Sequence, residues 1–480
     1  MNFTTSLYRN VVAALLIAAC AHVTYANNIQ VTNISLLEQE TDSNWTQIQF
    51  DLSWENSWRL SSGPANYDGA WVFVKYRTTG SSWQHATINY VDGTGTGDGH
   101  VVPPNAVVKT ASDGTGAFIY RSADGSGDIM FSGVQLRWDY GADFVADGAV
   151  VDVRIFAIEM VYIPTGTFPL GSTSTGSEIS NFYTETGIFG FKGTYPVTSE
   201  AAIPVSPAIG DLYYDFSLNA GDQLGPIPAE YPKGYQAFWC MKYELTEDQY
   251  VSFFNTLTPS QKTTNDITAA KGTDAEFERN TVSWTGGNAT TSAPSRAVSF
   301  MSYDNCAAYL DWAGLRFLTE MEFEKAAKGP VHTNNMLATA GIDAGTEFMT
   351  IANDGTDNAV ITNLEEGITN MNYSFTSPGG PVRVGIFAAS SVNHTREETG
   401  GSYYGVMEMS GNLFERNMSA GTPLNRAYTG AHGDGTIQPN GLHNVANWPG
   451  TGTEGASGYR GGSWDGGIFT CRIADRQSSA

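Results

Sequence analysis

Cysteine is scarce in this sequence, with four among 480 residues and no two of them in a CxxC pair. One of the four, Cys20, lies close to the N-terminus, and the other three are Cys240, Cys306 and Cys471. Three cysteines spread over the rest of the chain are too few for a disulfide framework and lack the spacing of a zinc site. Because their number is odd, at least one thiol remains unpaired.

Basic residues are also scarce, with 25 Lys and Arg against 49 Asp and Glu, for a formal net charge of -24. Such a charge repels phosphate backbones, so nucleic acid is not an expected partner. The histidines show no HxxxH or HxE spacing that would favour a facial-triad iron site. No GxSxG elbow marks a serine nucleophile either.

Long apolar runs are missing except for one near the start, Val11 to Ala19, which follows Arg9. It is too short to span a membrane. With small residues around Ala26, residues 1–26 form the pattern of a signal peptide, and we expect cleavage after Ala26 and a secreted or cell-surface protein. An alternative interpretation takes Ile17 to Cys20 as a lipoprotein box, with a lipid anchor on Cys20.

Residues 27–157 alternate between apolar and polar side chains, and glycine-rich turns separate the alternating segments. A period of two predicts strands, and no helical period interrupts it. We therefore predict an all-β sandwich domain over 27–157. Asp-Gly clusters such as Asp92 to Gly99 could bind calcium, but tight turns need the same residues.

A second domain is predicted over 158–480, directly after the first, because the strand pattern runs on to Pro164 without a linker. Within it, residues 172–236 are rich in Gly, Ser, Thr and Pro, and we predict an insertion of irregular structure or a lid there. Helical periodicity predicts helices over 246–257, 303–313 and 320–328. Thr246 with Gln249, and Thr319 with Glu322, have the spacing of capping boxes.

Three ordered motifs carry a family resemblance: GLRFLTEMEFEKAAKG (Gly314 to Gly329), YGVMEMSGNLFERN (Tyr404 to Asn417) and YRGGSWDGGIFTCRIADR (Tyr459 to Arg476). An earlier stretch, EMVYIPTGTFPLGS, begins at Glu159. Together they resemble the formylglycine-generating, sulfatase-modifying-factor family. The resemblance implies an α+β, loop-rich domain of C-type-lectin-like fold behind the all-β sandwich.

The family's enzyme holds a copper ion between two cysteines that follow its GGS turn. When the family pattern GGSYxCxxxxC is placed on GGSWDGGIFTC, the second cysteine is Cys471 and the first position is Gly466. A single thiol leaves copper(I) poorly held, so copper is not expected, and Cys471 would be catalytic only if the oxidase hypothesis holds. We expect instead a shallow ligand pocket formed by Trp464, Asp465, Gly466 and Cys471.

The resemblance also implies a calcium site in the loop EMSGNLFE. Its ligands would be the side chains of Glu408 and Glu415 and the backbone carbonyls of Gly411 and Leu413. Oxygen ligands alternating along a tight loop suit this hard cation. The alternative is that Glu415 only accepts backbone hydrogen bonds.

The segment around the GGS turn is also predicted to be a structural clasp. Gly461 and Gly462 would allow a backbone conformation or a close approach that a Cβ forbids, and Trp464 would pack inward. Three arginines of the segment would reach acidic or carbonyl partners: Arg460, Arg472 and Arg476. Family members continue beyond this segment to a closing strand, whereas the sequence stops at Ala480, so we expect that strand to be missing or supplied by a partner.

These observations lead to one functional hypothesis and two alternatives. The main hypothesis is a secreted, non-catalytic module that binds an extracellular protein or glycan, or assembles with itself at a surface. The first alternative is a copper-dependent formylglycine-generating oxidase that acts on sulfatase cysteines. The second is a variable ligand-binding protein of a diversity-generating retroelement, since such proteins share this fold and vary around the RGGSW segment.

Overall fold

The computed structural model of the chain describes residues 28–173, 181–187, 192–214, 221–331, 348–374, 377–450 and 457–478. The predicted signal peptide, Cys20 included, lies outside the described residues. No described helix is long and apolar enough to cross a bilayer.

The alternating pattern at the start of the chain forms eight strands, and residues 28–157 contain no helix. The strands, in chain order, are β1 Gln30–Glu40, β2 Trp45–Arg59, β3 Tyr67–Thr78, β4 Gln84–His85, β5 Ala106–Thr110, β6 Ala117–Arg121, β7 Gly125–Trp138 and β8 Val151–Ile163.

The rest of the described chain has many loops, ten short strands and eight short helices. The strands are β9 Phe168–Leu170, β10 Phe182–Glu185, β11 Lys192–Gly193, β12 Tyr195–Val197, β13 Tyr213–Tyr214, β14 Phe238–Met241, β15 Ile351–Ala352, β16 Val360–Ile361, β17 Glu415–Asn417 and β18 Gly458–Arg460. The helices are α1 Glu247–Phe254, α2 Pro259–Thr264, α3 Ile267–Lys271, α4 Tyr303–Trp312, α5 Glu320–Lys328, α6 Ile386–Ser390, α7 Arg396–Thr399 and α8 Pro423–Arg426.

One antiparallel sheet of nine strands contains β1 to β8 together with β14. Its main path runs β1-β2-β3-β6-β5, with β7 paired to β2 and β8 paired to β3. Strands β2 and β3 are joined at a single residue pair, Arg59 with Tyr67. The sheet curls there, so that apolar residues of β2 and β7 pack against those of β3 and β6 in one core, as the two layers of a sandwich do.

Strand β3 is buried on both faces, and this joins the two parts of the chain. Val72 and Val74 face the core of the curled sheet. Trp71 and Phe73, on the opposite face, pack against aromatic residues of α1 and α4. A strand with both faces covered loses the alternation of polar residues that marks a half-exposed strand, and the run AWVFVKY (Ala70 to Tyr76) has that character.

Strand β8 passes through the predicted boundary at residue 157 without interruption. Its earlier part pairs with β3, Met160 to Tyr162 pair with both β3 and β14, and Ile163 pairs with β14. Where β3, β8 and β14 meet, the buried Lys242 amine lies 3.1 Å from Asp68 Oδ2 and 3.0 Å from Glu159 Oε2. The curled sheet and the loop-rich part therefore share a hydrogen-bonded edge and a buried ion-pair cluster.

The three predicted helices are present, and their caps explain where they begin. Thr246 starts α1 with a complete capping box with Gln249, and Thr319 starts α5 in the same way with Glu322. Helix α1 ends at Phe254, three residues before the predicted end. The five helices α2, α3, α6, α7 and α8 have at most six residues each and were not expected. Such short helices give too few turns for a periodic apolar pattern.

The predicted insertion at 172–236 is described in part, and those parts form short strand pairs rather than only irregular structure. Strand β10 pairs with β11 and β13, and β12 pairs with β9. Apolar residues from it, including Phe182 and Tyr214, pack in one cluster with Phe317 and Tyr428. The insertion thus adds to the core of the loop-rich domain.

Candidate functional site

The site is organised by the turn between β18 and the segment that follows it. Strand β18 pairs with β17, so that Glu415 lies opposite Arg460. Gly461 and Gly462 come next, with φ of 80° and 77°. A Cβ on Gly461 would clash with Glu415 Oε2, and a Cβ on Gly462 would lie 2.6 Å from Cys471 Sγ. The prediction that these glycines permit a close approach is confirmed, and it ties the turn to both the predicted metal site and the predicted catalytic position.

Cys471 is completely buried beneath this turn. Its neighbours include Met371, which is also buried, and the partly buried Tyr373 and Ile468. The Ser410 hydroxyl donates to the Cys471 carbonyl at 2.8 Å. Burial raises the pKa of the thiol to about 12, so Cys471 is protonated at neutral pH.

The other predicted pocket residues form a tight turn nearer the surface. Trp464, which was predicted to pack inward, is half-buried, and its backbone N–H donates to the Asn412 carbonyl at 2.8 Å. The Asp465 carboxylate accepts from the Ser463 hydroxyl. At Gly466 a Cβ would meet Thr470 Oγ1 at 2.7 Å, the end of a side chain that can rotate. The pocket itself remains a prediction, and Cys471 has no exposed surface with which it could line the pocket.

Two of the three clasp arginines have the acidic partners that were predicted. Arg476 donates from Nε and Nη2 to the two carboxylate oxygens of Glu320 at 2.7 and 2.8 Å. Arg460 donates to Glu324 and to the Asp475 carbonyl. Both glutamates belong to α5, the helix of the first motif. The third motif, Tyr459 to Arg476, is thereby fixed to that helix through bidentate and charge-assisted bonds.

Arg472 differs, since its guanidinium lies over the ring of Phe469, 4.7 Å from the centroid. Phe469 is 55% exposed, so this pair is on the surface. A similar pair lies before the glycine turn, where Arg416 covers Tyr459 at 4.6 Å and Tyr459 contacts Phe414 edge-on at 5.6 Å. Arginine-aromatic pairs therefore lie on both sides of the turn in the chain.

The predicted calcium loop brings buried carboxylates close to the turn. Glu408, with φ of 52°, is buried, and its Oε1 accepts from the Gly385 N–H at 2.8 Å. The Gly411 N–H donates to the Gly461 carbonyl at 2.7 Å. Glu415 is partly exposed as a residue. Its Oε2 and that of Glu408 are nonetheless buried and have no hydrogen-bond partner among the described residues.

A third carboxylate, Glu244, joins this loop and was not predicted as a site residue. It accepts from the Leu413 N–H at 2.8 Å and from the Asn412 side chain. Asn412 in turn bonds to Asn372 and to the Val382 N–H. Glu244 lies in KYELTEDQY, between a strand and a capped helix, and an acid flanked by Tyr243 and Leu245 was the signal that could have revealed it.

The electrostatics of the loop disfavour three free charges. Burial raises the pKa of Glu408 to about 8. Burial and the charge of Glu408 raise the pKa of Glu244, and burial and the charge of Glu244 raise that of Glu415, both well above the usual range. A cation would offset this repulsion, and oxygen atoms are the donors that calcium favours. Within the described ranges no three Asp, Glu, His or Cys side chains converge on one metal position, so backbone carbonyls would have to complete the shell.

The fold and the clasp together define a loop-rich, C-type-lectin-like α+β domain attached to a curled β-sheet. Residues 154–480 match the family model described as the sulfatase-modifying factor enzyme 1-like domain, and this chain belongs to that family. The match begins inside β8, the strand shared by the two parts of the molecule. No curated protein matches the chain.

Proposed function

We propose that the protein is a secreted extracellular binding or surface-assembly module whose sulfatase-modifying-factor domain is not catalytic. The observation that carries this proposal is the pair of positions 466 and 471. Gly466 stands where the family's enzyme has the first copper cysteine, and Cys471 is fully buried beneath Gly462. The leader pattern of residues 1–26 supports secretion.

The residues present do not fit a copper site. Copper(I) favours two opposed thiolates, and the segment GGSWDGGIFTC has one cysteine. The Cys471 thiol has a pKa of about 12 because it is buried, so little thiolate exists at neutral pH. Its environment is that of a small apolar core residue.

The surface around the turn supports a binding role. Phe469 is 55% exposed and Phe414 is 38% exposed, and each belongs to a ring contact with an arginine or tyrosine. Aromatic side chains and arginine are enriched in recognition surfaces, where they offer a large contact area. An extracellular protein or a glycan is the partner this surface would suit, and self-assembly through it is the alternative.

Calcium would act as a structural cofactor in this proposal. Glu408 and Glu415 would supply carboxylate oxygens, and Gly411 and Leu413 would supply backbone carbonyls. The support is that both glutamates keep a buried oxygen without a partner among the described residues. Binding would stabilise the loop that positions Trp464 through the Asn412 carbonyl.

A thiol placed at position 466 tests whether the copper site of the family's enzyme is incomplete in this protein because its first cysteine is missing. We expect the native protein to bind copper(I) weakly and Gly466→Cys to bind it much more tightly, since the variant restores the second thiol. Gly467→Cys is the matched control, because its Cβ would meet nothing within 4 Å and its thiol would not belong to the family pattern. Tight copper binding by the native protein, lost in Cys471→Ser, would overturn the proposal.

A further inference from the structure

A buried lysine-asparagine pair lies away from the turn, beneath helices α1 and α3. Lys271 is the last residue of α3, and Asn280 follows the loop after it. The Lys271 amine lies 3.1 Å from Asn280 Oδ1, 3.2 Å from the Asn280 carbonyl and 2.6 Å from the Val282 carbonyl. Lys271 is 6% exposed and Asn280 has no exposed surface.

The partner of this amine distinguishes Lys271 from other buried lysines. The amines of Lys233, Lys262 and Lys325 meet backbone carbonyls, and that of Lys242 meets carboxylates. The Lys271 amine, by contrast, lies within hydrogen-bond distance of a side-chain amide, that of Asn280. Its nitrogen is thus held beside an electrophilic carbon.

The surroundings of the amide favour attack on that carbon. The Val282 N–H donates to Asn280 Oδ1 at 3.1 Å, where negative charge would develop during attack. The Asn280 amide nitrogen is held only by a long bond to the Ser299 carbonyl, at 3.3 Å. Ile267 and Val282 are buried in the apolar cluster around the pair. Such an environment excludes water that would compete for the carbon.

A carboxylate stands next to the pair in the fold. Glu247 is fully buried and accepts from the Thr281 N–H at 3.0 Å, directly after Asn280 in the chain. Its charge acts on the Lys271 amine. Burial lowers the pKa of Lys271 and raises the pKa of Glu247, which brings the two pKa values closer together, while the charge of Glu247 raises the pKa of Lys271.

We propose that Lys271 and Asn280 join in an intramolecular isopeptide bond. The Lys271 ammonium gives a proton to Glu247, and the neutral Nζ attacks Asn280 Cγ while the Val282 N–H stabilises the oxyanion. The Cγ–Nδ2 bond then breaks, and the amide nitrogen takes up the proton held by Glu247 and one from Nζ and leaves as an ammonium ion, while Glu247 returns to the carboxylate. The products are one new amide and one ammonium ion, so no oxidant, reductant or co-reactant is needed.

Peptide mapping of the denatured, purified full chain by mass spectrometry tests the bond. Acylated Lys271 resists trypsin, so one species should retain residues 263–296 with the loss of one ammonia. If trypsin also cuts after Arg279, the two pieces stay joined and the mass rises by one water. Separate linear peptides 263–271 and 272–279 in place of that species would overturn the proposal. A linear peptide with Asn280 deamidated to aspartate would also overturn it.

Substitutions test separately the Lys271–Asn280 bond and the role of Glu247 as the base. Lys271→Arg should abolish the cross-linked species, and Lys262→Arg, at a buried lysine whose amine donates to the Gly287 carbonyl, should retain it. Glu247→Gln should lower the cross-linked fraction of the folded protein. An unchanged fraction in Glu247→Gln would contradict the role given to Glu247, and a retained cross-link in Lys271→Arg would contradict the bond itself.

Discussion

Arg476 and Glu320 form a bidentate ion pair across 156 residues of sequence, and neither side chain has any exposed surface. The guanidinium is also covered by aromatic rings, 3.8 Å from the centroid of Phe182 and 4.4 Å from that of Tyr214. Three separate segments meet at this one cation. The pair therefore secures the glycine turn against helix α5 and against the inserted segment.

Arg476→Met should destabilise the protein by about 3–5 kcal/mol, because it leaves the Glu320 carboxylate buried without its partner. Denaturant unfolding at neutral pH measures the change. The control is Arg77→Met at the exposed pair with Asp152, where a surface ion pair contributes at most about 1 kcal/mol. Equal effects of the two substitutions would contradict the role assigned to the buried pair.

A second buried cation, Lys242, lies where the curled sheet meets the loop-rich domain. Lys242→Met should cost about 3–5 kcal/mol, since it leaves Asp68 and Glu159 as uncompensated buried acids. Because these acids come from β3 and β8, both parts of the molecule should lose stability in one transition. Thermal unfolding, followed by one probe in the curled sheet and one in the loop-rich domain, checks this. Two separate transitions, of which only one shifts in the variant, would argue against a hydrogen-bonded edge shared by the two parts.

His100 should make the protein sensitive to mild acid. Burial lowers its pKa from 6.5 to about 4, and its Nδ1 accepts from the Arg137 N–H, which requires the neutral ring. Its contribution is present above pH 6.5 and is lost as the pH falls toward 4, in total about 3 kcal/mol. Denaturant unfolding across that range should show a shallower pH dependence for His100→Gln than for the native chain. If the free energy of unfolding had the same pH dependence in both proteins, His100 would not be the source of the acid sensitivity.

Calcium should raise the melting temperature by mass action on the folded state. At a concentration about 100 times the dissociation constant, a site specific to the folded state adds about 2.7 kcal/mol. Glu415→Gln and Glu408→Gln should remove the response. Glu398→Gln should retain it, because that carboxylate accepts hydrogen bonds from Ser391, Asn393 and Gly367 and lies outside the loop. A native chain whose melting temperature responds neither to calcium nor to a chelator would exclude the site.

The sequence predicted those features that depend on local chemistry. Period-two alternation marked the strands, and the Thr246 and Thr319 capping boxes located two helix starts within a residue. The steric need for glycine at 461 and 462 followed from the same kind of reasoning, and the positive φ angles agree with it. In each case the information lies within a few neighbouring residues.

Features that depend on distant segments could not be read in the same way. The curl that sets β2 against β3 rests on one residue pair, and the contact of Trp71 with α4 depends on packing across 242 residues. Glu244 became a site residue only because the Leu413 N–H reaches it from 169 residues away. Arg472 was predicted to reach an acid or a carbonyl, yet its described contact is with Phe469, a choice that depends on the shape of the exposed turn.

The proposed function requires that the family's oxidase chemistry be absent, because Gly466 stands where one thiol of the pair would lie. The most direct test is copper-dependent oxygen consumption by the native chain with a peptide that carries a CxPxR cysteine, followed by analysis of the peptide for formylglycine. We predict no oxygen consumption above a Cys471→Ser control and no modified peptide. Copper-dependent turnover of the peptide by the native chain, lost in Cys471→Ser, would contradict the account.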